Sequence, residues 1–287
     1  MSEAKLIIRV PHHVSGFWIP VITNDPLSSG SLGAGLVLSR RLEAQVGIGE
    51  PPNDAVSRRV AEISGLGEPV AMRIDEGYPL GQGFGASAAR ALAQAIAIEC
   101  TMGRGSLLKA AERAHRAELV EGTGLGDVIA EFYGGALVVR LRPGPPGHGV
   151  VDCYPVSKRI RIVALSLGAM STREMHEKYL SRIMVCGRDS YRRFLDEPTL
   201  SRFVAEAQRF SLCVGFMDRE LKERVESAIK KAVRLGASMG FFVKKRLLVV
   251  VVDESCVDEV AEALRKEFKC SVWIDRVGAS GVEVERP

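Results

Sequence analysis

The chain has 287 residues, 46% of them hydrophobic and 26% charged. That suits two modest domains with sizeable cores and excludes a disordered chain or a small scaffold held by disulfides or metal. Its 39 Lys and Arg exceed its 35 Asp and Glu by only four, with the signs interspersed, so neither nucleic acid nor a membrane surface is expected as a partner.

In chain order, apolar runs at residues 6–10, 36–38, 70–74 and 136–139 predict strands. Residues 86–100 predict an Ala-rich helix and residues 106–120 a second, opened by Ser106 and followed by Gly122. PGPPGHG at 143–149 predicts a turn between a strand ending near Leu141 and another beginning at Val150. A domain boundary falls near Ser157, giving domains 1–156 and 157–287. Beyond it, runs at 160–165 and 247–252 predict strands, and 172–184, 199–210, 218–234 and 257–268 predict helices. Short strands at 272–274 and 282–284 complete an α+β domain of the ferredoxin-like kind. The longest aliphatic run, 247–252, is far shorter than the roughly 20 residues of a membrane span. Cys100, Cys153, Cys186, Cys213, Cys256 and Cys270 form no C-x-x-C pair, so reduced thiols of a cytoplasmic protein are expected.

The densest chemical signal is PLGQGFGASAA at 79–89, where Gly81, Gly83 and Gly85 precede Ser87 and the first helix. Backbone N–H groups and a positive helix end converge at such a junction, and phosphate oxygens are the natural guests. A Walker loop is excluded because no Gly-Lys pair exists in the chain. A dinucleotide fingerprint would take Glu99 as its acidic partner, yet Glu99 falls at a helix end. The V-A-I-K and H-R-D strings of a protein kinase are missing. An ordinary glycine-rich turn is the plain alternative.

This string resembles the second motif of the GHMP kinases (galactokinase, homoserine, mevalonate and phosphomevalonate kinases), P-x-G-x-G-L-G-S-S-A. Gly81, Gly83, Gly85, Ser87 and Ala88 match, while Phe84 replaces Leu and Ala86 the first Ser. AELVEGTGLGDVIAEFYGG at 117–135 resembles the family's metal-binding Glu, catalytic Asp and closing Gly-Gly, with Glu118 and Asp127 as the matching carboxylates and Glu121 a rival for the first. GASMG at 236–240 stands where a third, glycine-richer motif is usual. The family's Lys-bearing first motif is missing, and VPHHVSGFW at 10–18 takes its place. That opening, NDPLSSGSLGAGLVLSR at 24–40 and TGLGDV at 123–128 are similar to the archaeal pantoate kinases.

The resemblance implies a two-domain α+β GHMP kinase fold, its N-terminal domain with a left-handed β-α-β layout like that of ribosomal proteins and its C-terminal domain ferredoxin-like. It implies ATP as co-substrate, Mg²⁺, and pantoate as acceptor, phosphorylated on its primary hydroxyl to 4-phosphopantoate for coenzyme A synthesis; a homodimer is left open. Backbone donors of Gly81, Gln82, Gly83, Phe84, Gly85 and Ala86 would hold the nucleotide phosphates, and Ser87 and Glu118 the metal. Asp127 would take the hydroxyl proton or hold the hydroxyl in line; it reads also as a helix N-cap, as does Ser87. The acceptor's carboxylate needs an Arg fork or hydroxyl donors, and His13, Ser15, Asn24, Asp25, Ser31 and Arg140 are the candidates. Asn24 and Asp25 read equally as an Asx turn before Pro26. The rival readings are a kinase of homoserine or mevalonate class, and a non-catalytic nucleic-acid-binding module on the same layout.

Overall fold

The computed structural model describes residues 6–232 and 238–286. Leu6–Val21 (β1) and Gly30–Val46 (β2) form one long antiparallel pair, well beyond the short apolar runs that announce it. Its register shifts between Pro11 and His13 and again between Ser15 and Phe17. Such bulges re-aim the side chains around them, and Pro11, two histidines and Gly16 hide the strand from a pattern search.

Next come Ala55–Ile63 (α1), Met72–Asp75 (β3), Ala86–Thr101 (α2), Leu107–Glu121 (α3), Asp127–Tyr133 (α4), Gly134–Gly135 (β4), Leu137–Arg142 (β5) and Val150–Tyr154 (β6). The helix α1 is absent from the sequence expectation; Asp54 caps it by accepting from Ser57 N. As expected, Ser106 caps α3 and Gly122 ends it at φ 66°. The second half holds Ile160–Ser166 (β7), Thr172–Asp196 (α5), Leu200–Val214 (α6), Arg219–Ala232 (α7), Ser238–Lys244 (β8), Leu247–Asp253 (β9), Val257–Phe268 (α8), Val272–Arg276 (β10), Ala279–Ser280 (β11) and Glu283–Glu285 (β12). The expected third motif falls partly outside the described residues, at 236 and 237; Ser238–Gly240 open β8. Residues 233 and 234 of the expected 218–234 helix lie outside them too.

The first sheet runs β12-β1-β2-β5-β6, with β3 also on β2. The second runs β10-β7-β9-β8, all antiparallel. Counted within the second half, that is strand order four, one, three, two, a ferredoxin-like sheet in which three helices occupy the first crossover. After β10 the chain returns, and β12 pairs with the outer edge of β1.

One apolar cluster fuses the halves: Phe17 meets Phe203 with ring centroids 5.8 Å apart, and Trp18 meets Phe210 at 4.9 Å. A second packs the alanines of α2 against Leu6, Ile8, Val10 and Leu42. Small side chains let α2 approach the sheet closely, and its burial is the main source of its stability.

The expectation of reduced thiols is overturned for one pair. Cys186 of α5 and Cys213 of α6 form a disulfide, because the two helices pack together and bring their Cα atoms to 6.0 Å. A spacing of 27 residues carries no local signature of this. No helix among the described residues is long and apolar enough to cross a membrane.

Candidate active site

A cleft of about 290 Å³ gathers Gly81, Gly83, Gly85, Ala86, Ser87, Glu118 and Asp127 with Ser15, Ser31 and Arg140. The glycine loop is fixed from behind. Phe84 is buried, its ring stacked on Tyr78 at 3.8 Å and met edge-on by Trp273 of β10 at 5.3 Å. Tyr78 in turn donates to Asp275 over 2.8 Å. No side chain caps α2; Gly85 stands at its N-cap with φ 79°. Ala88 N donates back to Gly85 O over 2.8 Å, and the N–H groups of Ala86 and Ser87 are the first-turn donors left to face a ligand at the positive helix end. Glycine is required at 85, since a Cβ there would strike Glu131 Oε1.

Ser87 Oγ and Thr123 Oγ1 each donate to Glu118 Oε1 over 2.5 Å. Burial pushes the Glu118 carboxyl up to about 7, against the pull of those two hydroxyls. Its rival Glu121 instead accepts from Arg59 Nε over 2.8 Å and does not line the cleft. Among the described residues no cluster of three or more His, Cys, Asp or Glu side chains forms a self-sufficient metal site. The half-buried Ser87 hydroxyl and the buried Glu118 carboxylate, next to the glycine loop, nonetheless fit Mg²⁺, which takes one or two carboxylates and completes its shell from phosphate and water.

Asp127 is the first residue of α4, and Gly126, not Asp127, is its N-cap, so the capping role does not hold. Its Oδ1 lies 2.7 Å from His13 Nδ1 and 3.7 Å from Lys244 Nζ. Burial acts to raise its pKa, but Lys244, His13 and Arg140 outweigh that and hold the carboxyl well below the usual range. His13 is completely buried, and burial pushes its imidazole down to about 4. Neutral near pH 7, it must carry its proton on Nδ1 to bond the ionised Asp127. Its backbone N donates to Phe84 O over 3.1 Å, joining β1 to the glycine loop.

Arg140 of β5 is 1% exposed. Its Nη2 reaches Ser15 Oγ at 3.4 Å, while Nε and Nη1 have no partner. A buried guanidinium with unfilled donors on a cleft wall is costly unless an anion completes it.

Several predicted residues stand elsewhere. His13 lies behind Asp127 and not on the cleft wall. Asn24 and Asp25 are exposed beyond β1, and Asp25 accepts from Leu27 N at 3.0 Å and Ser28 Oγ at 2.8 Å, the Asx turn of the plain reading. Gln82 accepts from Ser166 Oγ, and the Phe84 ring serves the core. Lys244, Lys245 and His176, absent from the sequence expectation, also line the cleft, as does Thr123, which opens the TGLGDV segment but had no role assigned. For the two lysines the one local signal is a Lys-Lys-Arg break between two apolar runs, which reads as a solvated hairpin turn. Also unanticipated is Glu131, fully buried under Gly85, both carboxyl oxygens unpartnered. Burial, then the charges of Asp127 and Glu118, raise its pKa well above the ordinary carboxyl value.

Residues 54–135 match the family described as GHMP kinases N terminal domain. The chain is 34% identical to a pantoate kinase of Thermococcus kodakarensis, over 87% of this chain and 89% of that one. It is 25% identical to a pantoate kinase of Methanocaldococcus jannaschii, over 92% and 98%. Among solved structures it is similar to a phosphotransferase related to the CoA biosynthesis pathway, with TM-score 0.75 and 29% identity over 98% and 99% of the two chains. A homoserine kinase from Cytophaga hutchinsonii shares the fold, with TM-score 0.66 and 16% identity over 99% of each chain.

Proposed function

The chain belongs to the pantoate kinases within the GHMP kinases, and from that premise we propose that it transfers the γ-phosphoryl group of ATP to the primary hydroxyl of pantoate, forming 4-phosphopantoate on the archaeal route to coenzyme A. The observation that carries the substrate reading is Arg140: a buried guanidinium with two unfilled donors faces the cleft that also holds the glycine loop and Asp127. Such a group is built for a carboxylate on the acceptor.

In this reading the backbone donors of the glycine loop and the first turn of α2 hold the nucleotide phosphates. Ser87 and Glu118 would hold Mg²⁺, which when bound neutralises charge on the phosphates. Arg140, with Ser15 and Ser31, binds the pantoate carboxylate and so points the far hydroxyl at the loop. Asp127 is too weak a base to remove a proton from a free alcohol at the outset. It holds the hydroxyl in line and takes the proton late, once the oxygen has begun to bond to phosphorus, as suits a loose phosphoryl-transfer transition state. His13 keeps Asp127 oriented. We assign the cleft to the seam between domains 1–156 and 157–287.

The test is a panel of pantoate, homoserine and mevalonate with ATP, read by ADP release and by mass spectrometry of the product. Pantoate as the preferred acceptor supports the proposal; preference for another alcohol replaces it.

A further inference from the structure

The hairpin β8–β9 packs directly on the glycine loop. A Cβ at Gly83 would meet Leu247 Cβ at 3.4 Å and the Lys244 carbonyl oxygen at 3.6 Å. Along a strand, consecutive side chains point to opposite faces, yet Lys244 and Lys245 both line the one cleft. The backbone shows how: Lys245 is left-handed, with φ 58°, a conformation that glycine or asparagine adopts at less cost and that persists where its surroundings over-determine it. This turn brings two ammonium groups to the same space.

Their partners locate them. Lys244 is 6% exposed, and its Nζ stands 3.7 Å from Asp127 Oδ1, close enough for attraction but too far for a hydrogen bond. Its donors are therefore open to a ligand held beside Asp127. Lys245 Nζ bonds Thr172 Oγ1 over 2.7 Å and lies within the field of Glu118 and Asp127. Of the other charged groups lining the cleft, Arg140 sits on the acceptor side, and Asp54 is held by Arg90 at 2.7 Å. β1 supplies no cation to the cleft: its Arg9 pairs with Glu43 and Glu285 away from it, and His13 is neutral. The transferred group gathers negative charge on its outer oxygens, and these two lysines are the cations among the described cleft residues that face it.

Resting on the kinase reading above, we propose that Lys244 is a catalytic residue, its ammonium contacting an oxygen of the transferred phosphoryl group next to Asp127, with Lys245 beside it on the nucleotide phosphates. The second half of the chain thereby supplies these two cations to a site whose glycine loop and carboxylates come from the first.

The experiment compares wild type, Lys244→Met, Lys244→Arg and Lys245→Met by ADP release, with melting temperature and ATP binding by calorimetry on each. Lys244→Met lowers kcat about 10²-fold or more, the scale of losing one charge-stabilising donor, while it still melts and binds ATP as wild type does. Lys244→Arg recovers about tenfold of that loss, and Lys245→Met raises KM for ATP about tenfold, each near 1.4 kcal/mol. A Lys244→Met protein with kcat within about threefold of wild type overturns the proposal on that same scale. So does loss of turnover that accompanies loss of folding in both Lys244 variants. Wild-type protein idle with pantoate but active on another alcohol sinks the substrate reading alone, and the same comparison with that alcohol still decides Lys244.

Discussion

His13 and Asp127, 114 positions apart, meet through a 2.7 Å bond from the imidazole Nδ1 to a carboxylate oxygen. The histidine is buried and neutral, the aspartate ionised, so the pair works as a fixed donor and acceptor and not as a proton relay. In the proposed reaction the bond leaves Asp127 Oδ2 for a substrate hydroxyl, and it ties that carboxylate to the strand that also anchors the glycine loop.

Removing the acceptor's anchor separates binding of the two substrates. Arg140→Met raises KM for pantoate by about 10- to 100-fold, the scale of a charge-assisted hydrogen bond, and leaves KM for ATP near its wild-type value. Steady-state kinetics with each substrate varied in turn reads this; equal losses for both substrates would contradict it.

Glu118 gives a pH signature. Its carboxyl sits at about 7 in the folded protein against an ordinary 4.5. A raised folded pKa means that the favourable contribution is complete below the unfolded value and is lost as pH rises through the folded one. The nucleotide-free wild type therefore loses stability relative to Glu118→Gln between about pH 4.5 and about pH 7. Melting temperatures of both proteins at pH 5 and pH 8 test the sign: the glutamine variant gains on wild type at pH 8. A difference independent of pH would count against an acid so placed.

The bond between Cys186 and Cys213 closes a loop of 27 residues. Loop-closure entropy makes this worth about 3 to 4 kcal/mol. Cys213→Ser, or thorough reduction of wild type, lowers the melting temperature by several degrees without changing KM for either substrate, because neither cysteine lines the cleft. Melting curves with and without reductant check it.

Some of this was legible in the residues and some was not, for physical reasons. The glycine loop could be read because positive-φ turns demand glycine, and Ser87, Glu118 and Asp127 through the family motifs that they match, since 31 positions separate the first two. The helices α2 and α3 declared themselves through composition, a serine cap and a terminal glycine. β1 declared only its first residues, 6–10, since its bulges and Pro11 break the alternation that marks a strand further on. Lys244 and Lys245 were invisible for a different reason: two lysines at a hairpin tip look like solvated surface until β8 folds against Gly83, more than 150 residues upstream. The disulfide likewise exists only through the packing of α5 on α6.

The most direct measurement is phosphorus NMR of ATP and pantoate mixed with wild type or with Asp127→Asn. Wild type should convert both into ADP and a phosphomonoester of pantoate, and the variant, equally stable and still binding ATP, should do so about 10² to 10⁴ times more slowly. A new phosphomonoester formed as fast by the variant, or none formed by wild type, would contradict the account.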